Sequence, residues 1–562
     1  MAPWKGYDYQ MTEGRQKVIK RKSISFWLII LSALFVFVLL RGVAIYADAP
    51  AADISRSGVF LADEGLHGYN ALHWVLTGHW YVKDDINHGV NSPVFMIYEY
   101  ALLKGFGISL ATVRYGAVGL GMFSLLILFL MLVRERVIAG WIVLVLGVVN
   151  YPLLIYQRLA LLENCLLLLL LLAFYCLYLF CRSGARRKDM LAAFWIAFFA
   201  ALLVKSTALF MLPLFCFTLI YYKSQFKHTV LISLFMIILL TGFIWFVHIR
   251  YYVDDWIYYQ SLYGLERITT DPLQLIKNYA RFFAHLKLYA FMPLLYTVAV
   301  VAVFYNLYNW YKRNKLDLSE KLFTLWLLSG MAFLGLFAYS PPRYSLILLP
   351  AILALNGLFF NRIAGKTPVS IPPLILLVVA ILTMSQIGFG IYRVLEYDQL
   401  YLSCFLPVLG LVPILLFLFV LRKNPFKTLL LLGIFVFLVH SVQIVVYYST
   451  LNFSLSNALA EMKRELVDEE GASPVLCGDS SLLAAFELRC QAVDIMFRRH
   501  RLPALIKRTQ PRYLFLEDSS QLDYLQNILP DYFGQVNLLD HWTIMNNYLH
   551  HQDAVLYRVE PK

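Results

Sequence analysis

Long and almost uninterrupted apolar segments recur through the first 450 residues of this 562-residue chain. A helix of about 20 apolar residues crosses a hydrocarbon core of about 30 Å, because all its backbone polar groups are satisfied within the segment. Thirteen such segments lie near residues 24–45, 112–133, 138–156, 161–181, 190–204, 207–222, 229–249, 288–311, 321–339, 344–360, 371–391, 402–421 and 428–449. The sequence therefore predicts a polytopic α-helical membrane protein with about 13 transmembrane helices.

The net charge of +13 is distributed in a way that argues against nucleic-acid binding. Basic residues cluster in alternate short loops, near residues 15–22, 134–136, 182–188, 223–227, 312–315, 362–366 and 422–427. An excess of Lys and Arg on one side is typical of cytoplasmic loops. We therefore expect residues 1–23 to be a cytoplasmic N-terminus, and the other loops to lie on the outer face.

The first outer loop, residues 46–111, contains two helix signals. One helix is expected to begin at Ala62-Asp63-Glu64, because Leu66, Tyr69, Leu72 and Leu76 recur at helical spacing. The other is expected at Ser92-Pro93, an N-cap residue followed by proline at the first helical position. Both helices are predicted to lie in the membrane interface.

Residues 450–562 have the composition of a soluble domain. Strand and helix patterns alternate from Pro474 to Leu529, and a hairpin is expected near 535–559. This alternation predicts an extracytoplasmic α/β domain with a partly parallel sheet. A disulfide between Cys477 and Cys490 is chemically permitted there, although the spacing alone does not establish it.

Ionisable residues at the outer ends of membrane spans are usually functional. In this chain the predicted topology places all of them on the outer face of the membrane. They are Asp63, Glu64, Arg158, Glu163, Lys205 and Arg343, with Tyr344 next to Arg343. Lysine and arginine can hold the anionic leaving group of a polyprenyl-phosphate sugar. A carboxylate can take the proton of an acceptor hydroxyl, and one carboxylate base opposite a leaving group gives inversion.

Structural roles remain open for the same residues. Asp63 could be only a helix N-cap, and Arg158 with Glu163 could be only an interfacial ion pair. Lys205 could extend to the headgroups, and Arg343 with Tyr344 could anchor a span end. The histidines at 67, 73 and 79 are six residues apart, which places them on different helix faces and argues against a shared metal site.

Several segments resemble, in order, the motifs of the GT-C superfamily of membrane glycosyltransferases related to protein O-mannosyltransferases and aminoarabinose transferases. Asp63-Glu64 resembles the acidic pair after the first span, and the stretch from His88 to Pro93 resembles the proline-containing part of the first loop. The segments at Arg158–Glu163, 203–207 and Pro342-Arg343-Tyr344 resemble the family's turn acid, lysine segment and Arg-Tyr stretch. The resemblance covers most of the membrane region.

The resemblance implies a role for each matching residue. Asp63 would be the catalytic base, and Glu64 a helper that positions substrate or a metal. Lys205 and Arg343 would bind the lipid phosphate, with Tyr344 as a hydrogen-bond donor. Glu163, at a position where the family usually has aspartate, would line the cavity with Arg158 as its partner. His88 would substitute for the lysine that the first loop lacks.

The sequence therefore favours a GT-C fold, with a catalytic membrane domain at residues 24–449 and an outer α/β domain at 450–562. The expected activity is transfer of a hexose or pentose from a polyprenyl-phosphate donor to a hydroxyl of a lipid, glycan or protein at the outer face of the cell inner membrane. Alternatives are a polymerase or ligase of lipid-linked saccharides, and a flippase or transporter. No cofactor is certain, and a divalent cation is left open.

Overall fold

The structure is a computed structural model. It describes residues 23–48, 60–222, 226–263, 271–284, 292–312, 316–337, 342–364, 425–449, 451–469, 474–478, 480–495, 500–516, 519–530, 532–533, 535–545 and 551–560. The expected cytoplasmic segment before Ser23 and the expected spans 371–391 and 402–421 lie outside the described residues.

Seventeen helices precede residue 450 in the described part of the chain. They are α1 (Ser23–Gly42), α2 (Phe60–Thr77), α3 (His88–Asn91), α4 (Pro93–Phe106), α5 (Leu110–Glu135), α6 (Val137–Val149), α7 (Tyr151–Gln157), α8 (Leu162–Arg182), α9 (Lys188–Leu202), α10 (Leu212–Tyr221), α11 (Phe226–Val247), α12 (Val253–Tyr263), α13 (Pro272–Ala284), α14 (Pro293–Tyr311), α15 (Leu318–Leu334), α16 (Leu349–Ala364) and α17 (Pro425–Ser449). Short 3₁₀ helices lie at Ser206–Met211, Ile249–Tyr251 and Pro342–Leu348.

Within the described residues, five helical segments are long and apolar enough to cross a membrane. They are Leu110–Glu135, Leu162–Arg182, Phe226–Tyr251, Arg343–Ile363 and Val436–Leu466. The pair α6 and α7, bent by 58° at Asn150, would be a sixth if it forms one span. The helical segments Phe26–Gly42 and Ser206–Tyr221 are apolar but shorter. The expectation of about 13 spans stays a prediction, because part of it falls on residues that are not described.

Helix α8 lies at the centre of the membrane part. Leu166, Leu170, Phe174 and Leu177 follow one another at helical spacing and are fully buried. Trp326 of α15 packs edge-on against Phe174, with ring centroids 4.7 Å apart. Burying one continuous stripe fixes the rotation of α8, and therefore the direction in which its first turn presents Glu163.

Helices α2 and α4 form where the first-loop pattern predicts them. Gly65 of α2 has no Cβ, and one placed there would lie 2.4 Å from the backbone nitrogen of Leu483. This glycine lets the C-terminal region approach α2 closely. Ser92 precedes Pro93, as expected, but its hydroxyl donates to the Val204 carbonyl at 2.9 Å and makes no capping bond. It thereby ties the start of α4 to the residue before Lys205.

The C-terminal region contains α18 (Ser454–Lys463), a π-helical turn (Arg464–Glu469), α19 (Ser481–Leu488), α20 (Leu502–Thr509) and α21 (Ser519–Ile528), with strands β1 (Val475–Cys477), β2 (Gln491–Val493), β3 (Tyr513–Leu516), β4 (Gln535–Met545) and β5 (His551–Glu560). The sheet order is β2-β1-β3-β5-β4. Strand β1 is parallel to β2 and β3, whereas β5 is antiparallel to β3 and β4. Helical crossovers join the parallel strands, as parallel pairing requires.

This sheet contacts the first loop through one tyrosine. The Tyr69 hydroxyl donates to the Ala492 carbonyl at 2.7 Å and accepts from the Ala492 amide at 2.9 Å. The helix that carries Asp63 is therefore held against β2. Cys477 and Cys490 are both buried and are not joined to each other, so the disulfide that the sequence permits is not formed.

Candidate functional site

Four of the ionisable residues singled out in the sequence meet in one cluster. Arg343 forms an ion pair with Asp63, and its Nε lies 3.6 Å from the Glu163 carboxylate. The Lys205 Nζ lies 2.6 Å from Oε1 of Glu163. The result is a chain of alternating charges, with two acids and two bases.

These four side chains come from four separate segments. Asp63 lies in the first turn of α2, and Glu163 in the first turn of α8. Lys205 has an extended backbone and lies between α9 and the 3₁₀ helix Ser206–Met211. Arg343 lies in the 3₁₀ helix that precedes α16. A helix N-terminus stabilises a nearby carboxylate, which suits Glu163. Breaks in the helices thus bring polar side chains to one place in an otherwise apolar scaffold.

Tyr344 forms an aromatic wall of the cluster. The Lys205 Nζ lies 3.6 Å from the centre of its ring, and the Arg343 guanidinium carbon lies 5.8 Å away. Cations are attracted to the face of an aromatic ring at such distances. The ring therefore helps the Glu163 carboxylate to hold the lysine ammonium in place.

Asp63 is not the N-cap residue that the structural alternative required, because α2 already begins at Phe60. Its carboxylate instead points to Arg343. Burial raises the pKa of Asp63 above its usual value, while the Arg343 charge opposes this rise and Glu163 adds to it. A carboxylate with a raised pKa is well suited to accept a proton, particularly when an incoming anion can take its place on the ion-pair partner.

Three expected site residues, Glu64, Arg158 and His88, lie outside the ion-pair cluster. Glu64 is 3% exposed and pairs with Arg114 at 2.6 Å, and it also accepts the Ala160 amide at 2.8 Å. Each Glu64 oxygen is thus bonded within the protein, which leaves it poorly placed to hold a metal or a substrate. It joins α2 to α5 and to the turn before α8.

Arg158 is also used within the protein. It donates to the Ala44 carbonyl and to the Tyr448 hydroxyl, at 3.1 Å for the latter, and it lies over the ring of Tyr447 at 5.2 Å. The expected pairing of Arg158 with Glu163 is wrong, because Lys205 and Arg343 occupy that carboxylate. The spacing of five residues across a turn suggests that Arg158 and Glu163 lie close together, but in the structure their side chains contact different partners.

His88 is buried beside the site and reaches it through another histidine. Its ring packs edge-on against His67, with centroids 4.8 Å apart. Burial lowers the pKa of both rings, that of His67 to about 3 and that of His88 well below its usual range. Sequence reasoning missed His67 as a site residue, although its position four residues after Asp63 places it on the same helix face.

The described residues contain no group of three or more His, Cys, Asp or Glu side chains arranged to hold a metal ion. The cluster itself supplies two cations and an acidic residue of raised pKa. Two adjacent cations can bind an anionic oxygen group such as a phosphate. Since both cations are paired with carboxylates here, an arriving anion would take over or share contacts that those carboxylates now make.

The chain has several helices long and apolar enough to cross a membrane, and its fold is ArnT-like. Two solved structures of ArnT from Cupriavidus metallidurans, described as bound to undecaprenyl phosphate and as the apo state, are similar over nearly the whole chain. The first has 13% sequence identity and a TM-score of 0.59, and the match covers 95% of this chain and 98% of that one. The second has 13% identity and a TM-score of 0.58, with coverages of 96% and 99%. No protein-family model and no curated protein matches the sequence.

Proposed function

We propose that this protein is an inverting glycosyltransferase. It moves a hexose or pentose from a polyprenyl-phosphate donor to a hydroxyl of a lipid, glycan or protein acceptor in the cell envelope. The observation that carries the proposal is the Asp63–Arg343–Glu163–Lys205 chain. An ArnT structure described as bound to undecaprenyl phosphate, which has the same fold, supports the choice of donor class.

Donor binding is the first step of the proposed mechanism. The donor phosphate takes the place of the Asp63 carboxylate on Arg343 and shares Lys205 with Glu163. Planar guanidinium and compact ammonium groups both bind phosphate well, and Tyr344 adds a hydroxyl donor. Because Asp63 then loses its ion-pair partner, its pKa rises further and it becomes a better base at the moment that the donor is in place.

Sugar transfer is the second step. The acceptor hydroxyl oxygen attacks the anomeric carbon from the face opposite the phosphate, and its proton passes to Asp63. The bond from the anomeric carbon to the phosphate oxygen breaks, and its electron pair leaves with the polyprenyl phosphate. Arg343 and Lys205 stabilise the charge that develops on that oxygen. One displacement with one base inverts the anomeric centre.

Glu163 and His88 have supporting roles in this proposal. Glu163, 3% exposed, holds the two cations near one another through its carboxylate. His88 supports the His67 ring beside Asp63. Glu64 and Arg158, which the resemblance placed in the site, act instead by fixing α2 and the turn before α8.

We also propose the domain organisation given by the sequence. Residues 24–449 form the catalytic membrane domain, with a cytoplasmic N-terminus before them, and residues 450–562 form an outer domain. The contact of Tyr69 with Ala492 and the close approach at Gly65 give the outer domain a role in holding α2. Acceptor recognition is the further role that we propose for it.

The experiment that tests the proposal uses the purified protein in detergent with mannose, glucose, galactose and arabinose, each radiolabelled on undecaprenyl phosphate. The same sugars on nucleotide carriers are the control. Release or transfer from at least one lipid-linked donor, and from none of the nucleotide sugars, is expected. Turnover of nucleotide sugars only would contradict the proposal. In a parallel assay with the protein reconstituted in liposomes, transfer of intact lipid-linked sugar across the membrane without cleavage would favour a flippase.

A further inference from the structure

His67 lies on the open face of α2. Between residues 63 and 72 every position is buried except Asp63 and His67, which are both partly exposed. Residues four apart on a helix lie on the same face, one turn and about 5 to 6 Å from each other. The surface that α2 presents to the Asp63–Arg343 pair therefore continues directly onto the imidazole of His67.

His67 lies among the charged residues of the cluster. It lies close enough to Glu163, Lys205 and Arg343 to feel their charges. Its ring packs edge-on against His88, which in turn packs against Tyr259 with centroids 5.2 Å apart. The Nδ1 atom is enclosed and makes no hydrogen bond to the residues that the structure describes. A polar nitrogen left without a partner costs stability, which is acceptable where a ligand supplies the partner.

The ring is neutral at physiological pH, because burial lowers its pKa to about 3. A neutral imidazole carries one N–H donor and one lone-pair acceptor. Hydroxyl groups also donate and accept, so the two groups match. A phosphate, by contrast, is bound by cations, and Lys205 and Arg343 already supply two of them.

We propose that His67 is a sugar-binding, specificity-determining residue whose imidazole hydrogen-bonds a hydroxyl of the sugar on the donor. This inference rests on the proposed glycosyltransferase function. The anomeric carbon must lie between the base, Asp63, and the phosphate ligands, Arg343 and Lys205. The rest of the sugar ring then extends along α2 toward His67, and the His67–His88 pair forms one wall of the sugar pocket.

The test compares His67→Phe and His67→Gln with the wild-type protein. Phenylalanine keeps the ring without nitrogen atoms, and glutamine keeps a donor and an acceptor. His73→Gln is the matched control, since His73 is a partly exposed histidine of the same helix that bonds the His79 carbonyl at 2.6 Å. Each protein is assayed with the donor that the wild type accepts, with its single-deoxy analogues, and with undecaprenyl phosphate as a competitive inhibitor.

We expect His67→Phe to raise the KM for the donor about tenfold, the size of one lost hydrogen bond. The inhibition constant of undecaprenyl phosphate is expected to stay unchanged, because it carries no sugar. With the wild type, one deoxy donor is expected to have a KM about tenfold higher than the complete donor. With His67→Phe, that deoxy donor and the complete donor are expected to have the same KM. His67→Gln should recover most of the loss, and His73→Gln should behave as wild type.

Three results would overturn the assignment. A parallel loss of undecaprenyl phosphate affinity in both variants would place His67 at the phosphate. Unchanged KM values would show that His67 does not contact the donor, and equal losses with every deoxy donor would show a general structural effect. Failure of the wild type to use any donor would instead contradict the glycosyltransferase function, and the assignment would fall with it.

Discussion

Replacing Arg343 by glutamine tests both halves of the proposed site at once. Arg343 pairs with Asp63 and lies 3.6 Å from Glu163, and its side chain is only 12% exposed. In the wild type the four-residue cluster is formally neutral. Arg343→Gln changes its formal charge to −1, while Lys205 and Glu163 remain paired at 2.6 Å.

Two magnitudes follow from that change. A charge-assisted hydrogen bond contributes about 1.5–3 kcal/mol, so the affinity for undecaprenyl phosphate should fall by about 10- to 150-fold. An adjacent arginine lowers the pKa of an aspartate by about 1–3 units. Removing it raises the pKa of Asp63, which burial already raises. Since the base acts only when ionised, the acid limb of kcat/KM should move to higher pH by about one unit or more.

The assay is a pH profile of sugar transfer together with direct binding of undecaprenyl phosphate. Arg362→Gln is the matched control, because Arg362 is also partly buried in an ion pair, with Glu320 at 2.5 Å, near the other end of the same helical segment. The control is expected to keep the wild-type acid limb and affinity. An unshifted acid limb in Arg343→Gln would refute the argument that Asp63 is the base.

Three further changes are predicted. Lys205→Gln should weaken undecaprenyl phosphate binding about tenfold. It should shift the acid limb of kcat/KM less than Arg343→Gln does, because Lys205 is paired with Glu163 and not with Asp63. The pH profile and the binding assay check both effects. Glu64→Gln should destabilise the protein by about 3–5 kcal/mol in an unfolding measurement, since it leaves the buried Arg114 charge without its carboxylate partner. Glu99→Gln should raise the melting temperature at pH 7–8. Burial raises the pKa of Glu99 well above its usual value, with the charge of Glu64 adding to the effect, so the wild type loses stability as the pH rises above about 4.3.

The sequence predicts local features of this fold well. The starts of α2 and α4 follow from hydrophobic spacing and from proline at the first helical position. The alternating pattern after residue 474 finds β1, β2 and β3 with the helices between them. These features depend on residues a few positions apart, which is the range over which helical and strand periodicity acts.

The candidate site was predictable only in part. Charges at span ends are expensive, which points to Asp63, Glu163, Lys205 and Arg343 in the sequence, and the structure brings those four together. The hydrogen-bond and ion-pair partners of Glu64 and Arg158 were not predictable. These partners, Arg114, Ala44 and Tyr448, lie 50 to 290 residues away in sequence. The packing of distant helices determines which carbonyl or opposite charge a buried polar group contacts. A short sequence pattern does not contain that information.

The most direct test of the account is single-turnover sugar transfer by Asp63→Asn, with undecaprenyl phosphate binding measured on the same samples. Asp189→Asn, an exposed aspartate paired with Arg187 at 2.6 Å, is the control. The account predicts that Asp63→Asn binds undecaprenyl phosphate at least as tightly as wild type, because Arg343 is released. Transfer should slow by about 10²–10⁴-fold, the contribution of a general base. Transfer at the wild-type rate by a folded Asp63→Asn protein would contradict it.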